Sequence, residues 1–126
     1  DAGAPRVAVL GWCFGGGRTF DAVATAPQRY DAAVAYYGAP AAMTEDVLRQ
    51  TTTPLLAHFG RKDQAISLEA ARDFEARFAD AGAEGRVYLY DAGHAFANPS
   101  GERYVPAAAD AAWARTTAFL DRHLSP

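Results

Sequence analysis

The feature that most constrains this chain is a short apolar run that leads directly into closely spaced glycines, Arg-Val-Ala-Val-Leu-Gly-Trp-Cys-Phe-Gly-Gly-Gly at residues 6–17. An apolar run bounded by glycine predicts a buried strand, and residues 18–25 then predict a helix. A turn this tight between strand and helix forces its central residue, Cys13, into a strained conformation above the sheet. We expect that a Cβ at Gly11 or Gly15 would clash with the chain that passes nearby.

Cys13, at the tip of this turn, has the predicted surroundings of a reactive thiol. It would lie at the N-terminus of a helix, whose dipole stabilises a thiolate. The amide of Phe14 would point to the same place and could stabilise an oxyanion. The alternative is that a lone cysteine is a small buried hydrophobic residue, which is its commoner role. Residues elsewhere in the chain must therefore decide between the two.

The length and composition are those of one globular domain, residues 1–126. Twelve basic and fifteen acidic residues give a net charge of -3, with no basic patch that would favour nucleic acid. A single cysteine excludes an internal disulfide, and no apolar run reaches the roughly 18 residues of a membrane span. We expect a cytoplasmic protein without a metal or another cofactor. The sequence opens at Asp1 and its only methionine is Met43, so we also expect a fragment or a processed product.

Three further apolar runs bounded by glycine or proline predict strands, at residues 31–38, 54–60 and 86–90. Helices are predicted between and after them, beginning near Thr44, Ser67 and Pro106. Trp113, Thr117, Leu120 and Leu124 are expected on one face of the last helix. Alternation of strands and helices predicts an α/β fold with three layers, α/β/α, around a mostly parallel sheet. Ligands bind beyond the carboxyl ends of the strands in such sheets.

Two of the loops at that edge carry residues that could activate a thiol. Asp63 follows the third strand and His94 follows the fourth, so nucleophile, acid and histidine occur in the order Cys, Asp, His. An imidazole can take the proton of the thiol, while a carboxylate fixes its tautomer and stabilises the imidazolium. Cys13, Asp63 and His94 are therefore predicted to form a catalytic triad.

Three residues compete with these assignments. Asp91 could replace Asp63, although three residues before His94 it more plausibly shapes the loop. His58 lies inside the third strand, where packing or bonding within the sheet is expected. His123 lies near the end of the last helix, where a cation suits the helix dipole.

The combination of motifs resembles the dienelactone hydrolase family of the α/β-hydrolase superfamily. The matching segments are Gly11-Trp-Cys13-Phe-Gly-Gly16, Tyr36-Tyr37-Gly38, Phe59-Gly60-x-x-Asp63 and Gly93-His94-x-Phe96-x-Asn98-Pro99. The resemblance implies hydrolysis of lactones or esters through a thioester, with Cys13 as nucleophile, Asp63 as orienting acid and His94 as base. It also implies an oxyanion contact from the Phe14 amide. Predicted substrate contacts are Trp12, Tyr37, Arg61, Phe96 and Asn98.

The resemblance covers only the C-terminal half of the family's usual length, so a partial α/β-hydrolase fold is expected. In full members, earlier strands supply the second oxyanion amide and, in one branch, a glutamate that helps to form the thiolate. Without them the first strand becomes an exposed hydrophobic edge. A missing N-terminal half or a second copy of the chain would then cover it.

The substrate is less well defined than the reaction. Dienelactone-specific members carry an arginine shortly after the histidine, where this chain has Asn98. Arg18, Arg61 and Lys62 could instead attract an anion at the mouth of the site.

Two other functions compete with the hydrolase. Glutamine amidotransferases also place a cysteine on such a turn, but they need a glutamine soon after it and a late His-x-Glu pair. The other alternative is an incomplete hydrolase domain that serves as a binding module. Alkylation of Cys13 with a pH profile set by His94 would separate an active thiol from an inert one.

Overall fold

The computed structural model describes residues 5–125, and within them it contains a parallel sheet of four strands in the order β1-β2-β3-β4. The strands are β1 (Ala8–Trp12), β2 (Ala32–Tyr36), β3 (Leu55–Gly60) and β4 (Gly85–Tyr90). In the parallel register Trp12 pairs with Tyr36, and Tyr36 pairs with His58. The loops that follow the strands therefore meet at one edge of the sheet. The predicted α/β fold is confirmed.

Helices cover both faces of this sheet, as the sequence predicts. They are α1 (Phe14–Thr25), α2 (Glu45–Gln50), α3 (Leu68–Asp80) and α4 (Pro106–Leu124). One hydrophobic cluster joins α1, α2 and α3 to the first face, with Phe20, Phe59 and Phe74 at its centre. A second cluster joins α4 to the opposite face. The result is the three-layer α/β/α arrangement.

The helix boundaries follow from local chemistry. The Thr44 hydroxyl accepts from the Val47 amide at 3.3 Å, and the Ser67 hydroxyl accepts from the Ala70 amide at 3.1 Å. Both residues are N-caps that satisfy amides left free in a first helical turn. Pro106 occupies the first turn of α4, where its missing amide hydrogen has no cost.

The buried face of α4 differs from the prediction. The residues that are buried are small, Ala108, Ala109, Ala112 and Thr116, whereas the side chain of Trp113 is exposed. Trp113 and Thr117, which the sequence predicts to share one face of the helix, are both exposed and do not face the core. Small side chains allow the helix to lie close to the sheet, so the large ones are turned away.

The strand β1 lies at the edge of the sheet and carries exposed hydrophobic side chains. Leu10 and Trp12 are exposed, as is Val7 just before the strand. An edge strand with open backbone groups and apolar side chains can pair with another strand. The predicted exposed edge is present in the described residues.

The polypeptide backbones around the first turn approach one another very closely. A Cβ at Gly11 would lie 2.2 Å from the Gly15 carbonyl oxygen, and one at Gly16 would lie 2.5 Å from the Tyr36 carbonyl oxygen. The predicted clash at Gly11 is thus confirmed. At Gly15 it is wrong, because a Cβ there would point into open space. Gly16 is the second position that must lack a side chain, since α1 packs there against the end of β2.

Among residues 5–125, no helix is both long enough and apolar enough to cross a membrane.

Candidate active site

Cys13 lies at the turn between β1 and α1 in a backbone conformation that few side chains adopt. Its φ is 57° and its ψ is -121°. This strain is held by the neighbouring strand, because the Cys13 amide donates to the Tyr36 carbonyl at 3.1 Å. Strained backbone that the surroundings enforce is common at functional sites. The turn presents the thiol at the carboxyl edge of the sheet.

Asp63 follows β3 and is held almost completely away from solvent, with 1% of its side chain exposed. Its Oδ1 accepts from the amides of Ala65 and Ile66 at 2.7 and 2.8 Å. These two amides fix the carboxylate and leave Oδ2 to face His94. The sequence does not predict these two hydrogen bonds. An aspartate in a turn often accepts from a backbone amide a few residues further along the chain, and Asp63 does so here.

His94 follows β4 and contacts Asp63 directly. Its Nδ1 lies 2.7 Å from Asp63 Oδ2, and 24% of its side chain is exposed. A hydrogen on Nδ1 that bonds to the carboxylate leaves Nε2 as the basic nitrogen of the neutral ring. The Tyr37 ring packs against the imidazole with their centroids 5.1 Å apart. The imidazole is therefore oriented from two sides.

Two effects act on the pKa of the Cys13 thiol. Burial, followed by the negative charge of Asp63, raises the pKa of Cys13. A raised pKa favours the protonated thiol, so a base is needed to remove its proton before attack.

Cys13 and His94 line the same cavity of about 420 Å³. Apolar residues form most of the remaining wall, and Tyr37 is among them. Phe14, the first residue of α1, also lines the cavity, and its amide has no acceptor within the helix. The geometry thus brings the predicted nucleophile, base and oxyanion donor to one cavity.

The other predicted substrate contacts lie outside this wall. Trp12 stacks on Tyr36 and lines a separate groove with Trp113. Phe96 is fully buried and packs edge-on against Tyr37, so it supports the wall from behind.

The polar residues among the predicted substrate contacts, Arg61 and Asn98, also lie outside the cavity wall. Arg61 is exposed and does not line the cavity. Asn98 is exposed, and its Oδ1 accepts from the Ser100 amide at 3.0 Å. Arg18 does line the cavity, but it is paired with Asp21 at 3.5 Å.

The competing acid and one competing histidine have other partners. Asp91 is paired with Lys62 at 3.0 Å and is largely exposed. His123 lies 3.9 Å from Glu84 at the end of α4. Neither residue lines the cavity that contains Cys13.

His58 is fully buried and belongs to a chain of polar side chains behind the site. Its Nδ1 lies 2.8 Å from the Tyr90 hydroxyl, and its Nε2 lies 3.0 Å from the Thr116 hydroxyl. Thr116 in turn lies 2.8 Å from the Tyr36 hydroxyl. Burial, together with the positive charge of Arg115, lowers the pKa of His58 to about 3. This histidine is neutral and joins β3 to β4 and α4.

The described residues contain no group of three or more His, Cys, Asp or Glu side chains that could hold a metal ion.

Comparison with known proteins relates the chain to one protein family. The model of the family described as "Dienelactone hydrolase family" matches residues 2–124. Carboxymethylenebutenolidase 1 of Cupriavidus pinatubonensis is 33% identical over 120 residues, which cover 91% of this chain and 48% of that protein. Carboxymethylenebutenolidase of a Pseudomonas species is 34% identical, with 92% and 48% covered. The chain spans about half the length of these relatives.

Solved structures share the fold. A Klebsiella pneumoniae protein described as a candidate dienelactone hydrolase superposes with a TM-score of 0.79 at 26% identity. The superposition covers 91% of this chain and 51% of the Klebsiella protein. Esterase 2 of Thermogutta terrifontis superposes with a TM-score of 0.70 at 20% identity, covering 94% and 55%. The second likeness is one of fold alone.

Proposed function

Because the chain belongs to the dienelactone hydrolase family, we propose that it carries the catalytic residues of a hydrolase of carboxylic esters or lactones. Cys13 is the nucleophile, His94 the base and Asp63 the acid that orients it. The observation that carries the proposal is the 2.7 Å contact between His94 Nδ1 and Asp63 Oδ2, beside a cavity that His94 shares with Cys13. The family match also favours this function over that of a glutamine amidotransferase.

The reaction begins with a neutral thiol, in agreement with the raised pKa of Cys13. His94 Nε2 takes the thiol proton as the sulfur attacks the carbonyl carbon, and Asp63 stabilises the imidazolium that forms. The Phe14 amide donates to the oxygen that becomes negative. Collapse of the tetrahedral species breaks the ester C–O bond, and His94 returns the proton to the leaving oxygen.

A thioester on Cys13 is the product of this first stage. Neutral His94 then takes a proton from water, and the resulting hydroxide equivalent attacks the thioester carbonyl. The carbon–sulfur bond breaks, the acid is released and Cys13 regains its proton. Substrate is thus a small ester or lactone, and the covalent acyl group is the feature that an experiment can detect.

The exposed edge of β1 supports a further part of the proposal. The relatives are about twice as long as this chain, and their extra length is sufficient for additional strands. We propose that an N-terminal half like theirs pairs with β1 and supplies the second oxyanion amide, with a second copy of the chain as the alternative. Leu10 and Trp12 would be covered by that contact.

Hydrolysis of p-nitrophenyl acetate by the intact protein tests the proposed nucleophile. We expect Cys13→Ala to reduce kcat/KM by about 10³-fold or more, because the nucleophile is lost. His123→Gln, which changes a histidine outside the cavity, is the matched control and should retain wild-type activity. Rapid quenching followed by mass spectrometry should find one acetyl group on the peptide that contains Cys13. Equal rates for wild type and Cys13→Ala would refute the proposal.

A further inference from the structure

Part of the wall of the cavity at Cys13 is apolar. Ala39, Ala41, Ala42 and Ile66 contribute to that wall, and they come from the loops that follow β2 and β3. The charged side chains in the wall are Arg18 and Asp21, whose Nη1 and Oδ2 atoms lie 3.5 Å apart, so that their charges neutralise each other. Within the described residues, this wall thus offers no unpaired cation to a carboxylate.

A second cavity of about 420 Å³ adjoins the first. The two share Ala39, Ala41, Ala65 and Ile66 as walls, so the apolar surface continues from one into the other. Its far end is polar and is formed by α3, where Arg77 donates to the Met43 carbonyl at 3.2 Å. The cleft therefore extends well beyond the space that a small acyl group needs.

His94 also borders a more polar surface. It lines a separate cavity of about 390 Å³ with Lys62 and Arg103. Since His94 must protonate the leaving oxygen, the alcohol part of the substrate lies next to this polar cavity. The acyl part is then directed towards the alanines.

We propose that the acyl group of the substrate is an uncharged hydrocarbon chain that lies along Ala41 and Ile66 and reaches the second cavity. This inference rests on the proposed hydrolase and specifies its substrate class. Burial of each methylene against the apolar wall stabilises bound substrate, whereas a terminal carboxylate would lose its hydration beside these residues. Arg18 is already paired with Asp21 there, and the Arg77 guanidinium of the second cavity already donates to the Met43 carbonyl. The wall therefore favours aliphatic esters over esters of dicarboxylic acids.

The test compares p-nitrophenyl acetate, butyrate and hexanoate with the mono-p-nitrophenyl ester of adipic acid, in the intact protein. We expect kcat/KM to rise by about two- to fourfold for each added methylene from acetate to hexanoate. The adipate ester matches hexanoate in chain length but ends in a carboxylate, and it should react at least ~10-fold more slowly than hexanoate.

Two variants test whether the cleft is the source of the preference for longer acyl chains. Ala41→Phe fills the cleft and should lower kcat/KM for hexanoate about 10-fold more than for acetate. Ala107→Phe adds the same side chain at an exposed position of α4 outside these cavities, and it should leave the hexanoate-to-acetate ratio unchanged. Thermal unfolding of both variants shows whether they are folded.

The outcomes separate the two proposals. In one outcome acetate hydrolysis depends on Cys13, but kcat/KM is no higher for hexanoate than for acetate, or is higher for the adipate ester than for hexanoate. That outcome would overturn the proposed acyl cleft and leave the proposed hydrolase intact. An Ala41→Phe variant that is folded and keeps the wild-type hexanoate-to-acetate ratio would also overturn the cleft. Hydrolysis that does not depend on Cys13 would overturn both.

Discussion

Two histidines of this chain, His58 and His94, differ in their burial and in the groups that they contact. His58 is fully buried between the hydroxyls of Tyr90 and Thr116, and its pKa is lowered to about 3. His94 is partly exposed, and a buried carboxylate accepts its Nδ1 hydrogen. Neutral hydroxyls beside a buried ring favour an imidazole that stays neutral. A carboxylate stabilises the imidazolium that a base becomes when it takes a proton.

Position along the strand explains the difference. His58 belongs to β3 itself, so its ring lies in the layer between the sheet and α4. His94 belongs to the loop after β4, where the carboxyl ends of the strands leave a cavity. The fold thus separates a structural histidine from a candidate catalytic one by moving the residue beyond the end of a strand.

The largest expected effect is on activity and comes from His94. His94→Gln removes the base, and we expect kcat/KM for p-nitrophenyl acetate to fall by about 10³-fold. The midpoint of thermal unfolding should change little, because the ring is partly exposed. Initial rates and calorimetry on the same preparation measure both. A similar loss of activity with a large fall in Tm would make His94 a structural residue like His58.

The next largest effect is on stability and comes from His58. His58→Leu removes two hydrogen bonds, to the Tyr90 and Thr116 hydroxyls, each of which keeps one other partner. The free energy of unfolding should therefore fall by about 2 kcal/mol. Urea unfolding measures this change. The activity of the protein that remains folded should stay close to wild type. A stable variant with greatly reduced activity would contradict the division between the two histidines.

The smallest expected effect, taken for each unit of pH, is a pH dependence of stability. Below about pH 6.5 the unfolded chain protonates His58, while the folded protein does not do so until about pH 3. The unfolded state therefore binds the extra proton in this range, and His58 reduces stability by up to about 1.4 kcal/mol for each unit that the pH falls.

Urea unfolding between pH 6.5 and pH 4 measures this dependence. His58→Gln should show a shallower loss of stability on acidification than wild type, and His123→Gln, the control, should keep the wild-type slope. Equal slopes for wild type and His58→Gln would mean that His58 is protonated in the folded protein.

Much of the fold follows from the sequence because local patterns determine it. Apolar runs ended by glycine predict the strands, and Thr44, Ser67 and Pro106 mark helix starts. The glycines around Cys13 predict the turn before any contact is known. The buried face of α4 does not follow from the sequence. Its alanines give only a weak hydrophobic signal, whereas Trp113 gives a strong hydrophobic signal for a face that is exposed in the structure.

The candidate site is predicted in its members but not in its contacts. Chain order and strand ends select Cys13, Asp63 and His94, whereas spacing does not distinguish Asp63 from Asp91. Only the folded loop shows that two amides hold the Asp63 carboxylate towards His94. The polar chain through His58 joins side chains from β2, β3, β4 and α4, and no local pattern in the sequence encodes it.

Tyr36 takes part in both regions. Its carbonyl accepts from the Cys13 amide, and its hydroxyl bonds to Thr116 on α4. Separation of α4 from the sheet on heating would therefore disturb the residue that holds the nucleophile's backbone. We therefore expect thermal inactivation to begin with the undocking of this last helix.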